Sequence, residues 1–142
     1  MTGHVATAHT QISASPAQVW SALTDPAKIE QYMFGAKVQT TWQPGDPIVW
    51  HGEYEGKAYQ DKGEVVAVEP HHRLTVTHFS PLTGLDDKPE NYHTLTYELT
   101  DAGDKTEVAL SQDNNASPEE AERSRANWET MLAALKEYVE RG

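Results

Sequence analysis

Ser15-Pro16-Ala17-Gln18-Val19-Trp20-Ser21-Ala22-Leu23-Thr24-Asp25-Pro26 carries two helix starts in one short stretch. A small polar residue directly before proline marks such a start. Its side-chain oxygen satisfies orphan N–H groups of the first turn, and proline fits the first helical position because it has no N–H to lose. The same pair recurs as Ser117-Pro118. Gln18 after Ser15 and Glu120 after Ser117 stand where a reciprocal capping partner belongs. Between residues 36 and 113 no comparable start occurs, since Ser80-Pro81 has no apolar run behind it. The chain therefore reads as strand, two short helices, a long run of strands and one long helix.

Outward from that stretch, the first helix presents Val19, Trp20 and Leu23, and the second Ile29, Tyr32 and Met33. Upstream, Ala6, Ala8, Thr10 and Ile12 share one face of a weakly alternating strand. Downstream the period becomes two. Val38, Thr40 and Trp42 alternate up to the turn at 43–47, and Ile48, Trp50 and Gly52 alternate after it. A strand over 58–68 ends at Glu69-Pro70-His71-His72. Leu74, Val76 and His78 then face one way, as do His93, Leu95, Tyr97 and Leu99, and as do Thr106, Val108, Leu110 and Gln112. Residues 80–92 make a long loop with Pro, Gly and Asp, of a length that suggests a role as a gate. From Pro118, residues Ala121, Arg125, Trp128, Met131, Leu132, Leu135 and Val139 recur at helical spacing. A helix of about 24 residues is roughly 36 Å long, enough to cover a sheet. The expected fold is α+β, a curved antiparallel sheet wrapped around the long C-terminal helix, with two short helices after the first strand.

The 142 residues fit one domain, 1–142, with a core of its own. With 22 acidic against 11 basic residues the net charge is -11, so phosphate-rich partners are disfavoured: no nucleic acid and no anionic membrane surface. There is no cysteine, which excludes disulfides and thiolate chemistry. Met1-Thr2-Gly3-His4-Val5 shows no basic, apolar leader, and no apolar run reaches spanning length, so no membrane insertion and a cytoplasmic setting are the expectation.

Ile12 to Trp20 followed by Ala22-Leu23-Thr24-Asp25-Pro26 resembles the opening signature of START-like (Bet v 1-like, SRPBCC) proteins. Within these the chain is similar to the branch homologous to the C-terminal domain of the Hsp90 ATPase activator. Gly63-Glu64-Val65 with Pro70-His71-His72-Arg73-Leu74 resembles that branch's mid-sheet pattern, and Ser111 to Ala116 with Trp128 its lead into the last helix. The resemblance implies a helix-grip fold with a cavity between sheet and long helix. The same fold serves lipid carriers, cyclases and co-chaperones, so it does not fix a function.

The inward faces offer Trp50, Val76, Leu95, Tyr97 and Leu110 from the sheet and Trp128, Met131, Leu132 and Leu135 from the helix. Such stripes serve either a filled core or a pocket for an apolar, aromatic or lipid-like molecule. Keeping apolar faces together pairs Val76 with Leu95 and Leu74 with Tyr97, which sets His78 opposite His93. Pairing Tyr97 with Val108 and Leu95 with Leu110 sets Gln112 opposite His93. The expectation is an inward row, His78–His93–Gln112, able to orient a ligand's polar end. No catalytic residue is assigned, with His78 and His93 the only general acid/base candidates. Two histidines and an amide make a poor zinc set, and neither metal nor cofactor is expected. Asp113-Asn114-Asn115 reads as a loop-shaping segment before the last helix. Binding of a small hydrophobic molecule, by a monomer or homodimer, is the leading expectation. A cyclase- or hydrolase-type enzyme and a chaperone-associated partner are the alternatives.

Overall fold

Each expected helix start forms its cap. In the computed structural model, which describes residues 3–33, 35–54, 56–81 and 84–141, the Gln18 amide donates to Ser15 Oγ at 3.2 Å and the Ser15 amide to Gln18 Oε1 at 3.0 Å. Met1 and Thr2, read above for a leader, lie outside the described residues. This cap opens α1 (Pro16–Thr24), and Asp25 caps α2 (Pro26–Tyr32) through the Ala27 amide at 3.0 Å. Ser117 opens α3 (Pro118–Glu140). There the Glu120 carboxylate reaches the amide of Ala116 at 2.7 Å, one residue before the cap.

Seven antiparallel strands follow the order β1-β7-β6-β5-β4-β3-β2. They are β1 (His4–Ile12), β2 (Lys37–Gln39), β3 (Pro47–Tyr54), β4 (Lys57–Glu69), β5 (Arg73–His78), β6 (His93–Asp101) and β7 (Thr106–Asn115). The helix-grip architecture is present: the open sheet curves around α3, with α1 and α2 after the first strand. β2 is shorter than the alternation suggests: it ends at Gln39, and Trp42 beyond it takes a left-handed backbone conformation at φ 60°.

β4 is shared between two neighbours. Its residues 57–64 pair with β3, and Val65 to Glu69 pair with β5 across a bulge between Val65 and Ala67. At the change-over stands Gly63, where an added Cβ would lie 1.8 Å from the Thr77 carbonyl oxygen. Only a residue without a side chain permits that approach. Next to it, the Glu64 amide donates to Thr77 Oγ1 at 2.9 Å. Bulges bend and twist a strand locally, and this one lies where β4 passes from one neighbour to the other.

The β5–β6 register is the expected one, with Leu74 opposite Tyr97, Val76 opposite Leu95 and His78 opposite His93. The β6–β7 register differs by two residues. Tyr97 faces Leu110 and Leu95 faces Gln112, so Gln112 is not opposite His93. A shift of two keeps every side chain on its face, so hydrophobic pattern cannot detect it. The turn decides it. The expected register needs a two-residue loop with Ala102 in a positive-φ position, which suits glycine or asparagine. Instead the Ala102 amide donates to the Lys105 carbonyl at 2.9 Å, and Gly103 takes φ 87° in a four-residue loop.

Asp113, Asn114 and Asn115 end β7 rather than forming a loop, and they fasten its neighbours. The Thr94 amide donates to Asp113 Oδ1 at 2.6 Å. Asn114 Nδ2 donates to the carbonyls of Glu90 and Tyr92, and Asn115 Nδ2 to that of His4. No helix among the described residues is long and apolar enough to cross a membrane.

Candidate functional site

The concave side of the sheet is closed at one end and open at the other. At the closed end Leu110, Leu132 and Leu135 are fully buried in the apolar cluster and line no open space. Toward β3 and β4 the helix stands off, leaving a cavity of about 320 Å³. That lies at the lower end of the range of about 300–1,000 Å³ usual for small-molecule sites.

Trp50, Val76, Leu95 and Tyr97 line the cavity from the sheet, and Trp128 and Met131 from the helix. Leu23, Ile29, Tyr32, Met33 and Ala36 close it on the side of the short helices. The loop expected as a gate does not reach it: no described residue of 80–92 lines the cavity. That loop is tied beside β4 instead. Tyr92 stacks on Phe79 at 5.2 Å between ring centres and donates to Asp87 Oδ1 at 2.6 Å, and Asp87 pairs with Lys62.

The polar row is rearranged. His93 lies outside the cavity lining, and its Nδ1 stands 2.8 Å from the Asp113 carbonyl oxygen. A carbonyl only accepts, so this nitrogen carries the proton. The Gln112 amide nitrogen, 3.3 Å from that nitrogen, is then a neighbour and not its donor. Gln112 is satisfied elsewhere. Its Oε1 accepts from Trp128 Nε1 at 2.5 Å, and its Nε2 donates to Asn115 Oδ1 at 3.3 Å. It lines the cavity as a braced residue that holds the indole of Trp128 in place.

His78 faces the cavity and makes a partnership that the sequence reading missed. Its Nε2 lies 2.9 Å from Asp61 Oδ2, and the edge of its ring meets Trp50 at 5.0 Å between centres. Asp61 comes from β4, directly across from Trp50. The Asp61 side chain is 14% exposed, and its Oδ1 is buried without a hydrogen-bond partner among the described residues. Two residues along β4, Tyr59 lays its ring over Gly52, where a Cβ would meet it at 2.4 Å. Burial and then the Asp61 carboxylate push the Tyr59 phenol up.

Burial alone holds the Tyr97 phenol well above the ordinary tyrosine range. Tyr32 is likewise pushed up by burial, but it donates to the Ala22 carbonyl at 2.8 Å. Trp42, Ile48, Leu74, Ser124 and Asn127 complete the lining. One signal for Asp61 existed in the sequence: Tyr59, Asp61, Gly63 and Val65 alternate along β4. The other histidines stay apart. His51 is held by Gln39 on the far face of β3 at 3.2 Å, and His71 sits in a turn at φ 68°. Among the described residues no group of three or more His, Asp or Glu side chains converges as a metal site.

The pattern of the family described as Activator of Hsp90 ATPase homolog 1-like protein matches residues 13–140. The chain belongs to that family. Among solved structures, the Activator of Hsp90 ATPase homolog 1-like chain is similar to ChR145 from Cytophaga hutchinsonii. The two share 45% identity over 99% of this chain and 97% of that one, with a TM-score of 0.86. The Aha1 dimer from Colwellia psychrerythraea aligns at 18% identity over 96% of both chains with a TM-score of 0.74, a likeness of fold. DynU16, a putative protein in the dynemicin biosynthetic locus, shares the fold at 20% identity and a TM-score of 0.80. There the match covers 98% of this chain and 48% of that one. No curated protein matches the chain in sequence.

Proposed function

We propose that this chain binds a small hydrophobic or aromatic molecule between the sheet and α3. The observation that carries the reading is the cavity of about 320 Å³ with aromatic walls from Trp42, Trp50, Tyr59, Tyr97 and Trp128. Rings supply large contact area at low entropic cost, and Met131 adapts to the ligand's outline. In this reading Val76 and Leu95 form the floor, while Leu110, Leu132 and Leu135 are the rigid backing. His78 meets the ligand's polar end, with Gln112 and His93 bracing the rim.

The hydrogen bond between His78 and Asp61 favours a second reading, an enzyme with His78 as general base and Asp61 fixing its tautomer. The two differ in turnover. Native mass spectrometry of the chain purified from its own host tests the binding reading, which expects a retained small molecule. A Val76→Phe chain, with the floor raised into the cavity, is expected to keep its fold and lose that adduct. Equal retention by both chains overturns the cavity as the site. Release of a chemically altered molecule moves the function to catalysis, and retention of a chaperone in its place moves it to a protein partner.

A further inference from the structure

Asp61 Oδ1 is, among the described residues, the buried side-chain oxygen or nitrogen that no group satisfies. An unmatched buried acceptor is destabilising by about 1–3 kcal/mol, and more when it belongs to a charged group. This one is not in a sealed core, because Asp61 and His78 both line the cavity. Their chemistry is one-sided. An ionised carboxylate only accepts, so the 2.9 Å contact requires a proton on His78 Nε2. In a neutral imidazole that leaves Nδ1 as a lone-pair acceptor, and no described group bonds it. The second oxygen of Asp61 is an acceptor as well. The pair therefore brings two unused acceptors, His78 Nδ1 and the buried Asp61 Oδ1, to the wall of the cavity. Two donors of the lining are engaged elsewhere: the Trp128 indole bonds Gln112 Oε1, and the Gln112 amide nitrogen bonds Asn115.

We propose that Asp61 and His78 form the recognition element of the cavity and select ligands whose polar end is a hydrogen-bond donor, a hydroxyl or amine on an aromatic frame. The inference rests on the binding reading above and adds the polarity of the ligand. A molecule ending in an ether or ketone leaves the acceptors facing acceptors. A hydroxyl at the same position bonds a charged oxygen in a poorly solvated site, where such bonds are strongest.

Three probes of closely similar shape separate the possibilities: 2-naphthol, 2-methoxynaphthalene and naphthalene, titrated against the intact chain by calorimetry at neutral pH. The expected result is 2-naphthol binding roughly tenfold or more tighter than the other two. That advantage is expected to collapse to within about twofold in Asp61→Leu. Asp61→Asn, nearly identical in shape, serves if the leucine chain does not fold, and it is expected to lose most of the preference. Equal affinities of 2-naphthol and 2-methoxynaphthalene for the unaltered chain overturn donor selection and leave the cavity reading standing. A preference that survives both substitutions overturns the role of Asp61. Failure of all three probes to bind removes the cavity reading and this inference with it.

Discussion

Where α3 crosses β1 and β7, Leu132 and Leu135 join Ile12, Val108 and Leu110 in one apolar cluster, with none of the five more than 1% exposed. Toward its N-terminal half the same helix offers Ser124, Asn127 and Trp128 to β3 and β4, and a cavity lies between. Both regions use the same sheet and the same helix. They differ in side chains and in bend. Branched aliphatic residues interdigitate at the closed end and leave no room. At the open end a bulged β4 swings the strands while large rings stand around a space they do not fill. Cohesion and binding have been separated along one helix.

The comparison is most severely strained at its seam. Gly63→Ala would place a Cβ 1.8 Å from the Thr77 carbonyl oxygen, a backbone atom that cannot move without breaking the β4–β5 ladder. The expected loss is about 4 kcal/mol or more, in the exceptional range for one substitution. Circular dichroism during thermal unfolding should show a chain that is largely unfolded or melts far earlier. An unchanged melting temperature would mean the bend in β4 is not held where the Gly63 contact indicates.

Next in size is Leu132→Ala in the closed end. A fully buried leucine should cost about 2–5 kcal/mol in denaturant titration while leaving probe affinity nearly unchanged. Loss of binding out of proportion to stability would show that the two ends are coupled.

The smallest effect on stability is expected from Asp61→Leu. A half-satisfied carboxylate gives way to an apolar side chain beside Trp50, so stability should change by no more than about 1 kcal/mol and can rise. A loss as large as that of the leucine variant would make Asp61 a structural member of the fold.

Much of this was legible in the chain. The caps at Ser15, Asp25 and Ser117, each directly before a proline, located the three α-helices of the described residues, because capping is a local interaction between neighbours in sequence. The alternation of Leu74, Val76 and His78 against Tyr97, Leu95 and His93 set the β5–β6 register, since one face had to stay dry. Of the residues named in advance as lining, Trp50, Val76, His78, Leu95, Tyr97, Gln112, Trp128 and Met131 lie on the cavity, while Leu110, Leu132, Leu135 and His93 do not. Inwardness follows from periodicity. Whether an inward residue meets a neighbour or a space depends on how far the opposing element stands off, which no periodicity records.

The sequence by itself therefore determined the element order, the antiparallel sheet on a long helix and which face of every strand but β4 turns inward. Those follow from capping, period and burial, all short-range in the chain. Tertiary structure alone decided the two-residue slip that took Gln112 away from His93, and the pairing of His78 with Asp61 across 17 residues. Both were set by backbone geometry, a four-residue turn at Gly103 and a strand bent at Gly63, which steer side chains without altering the hydrophobic pattern.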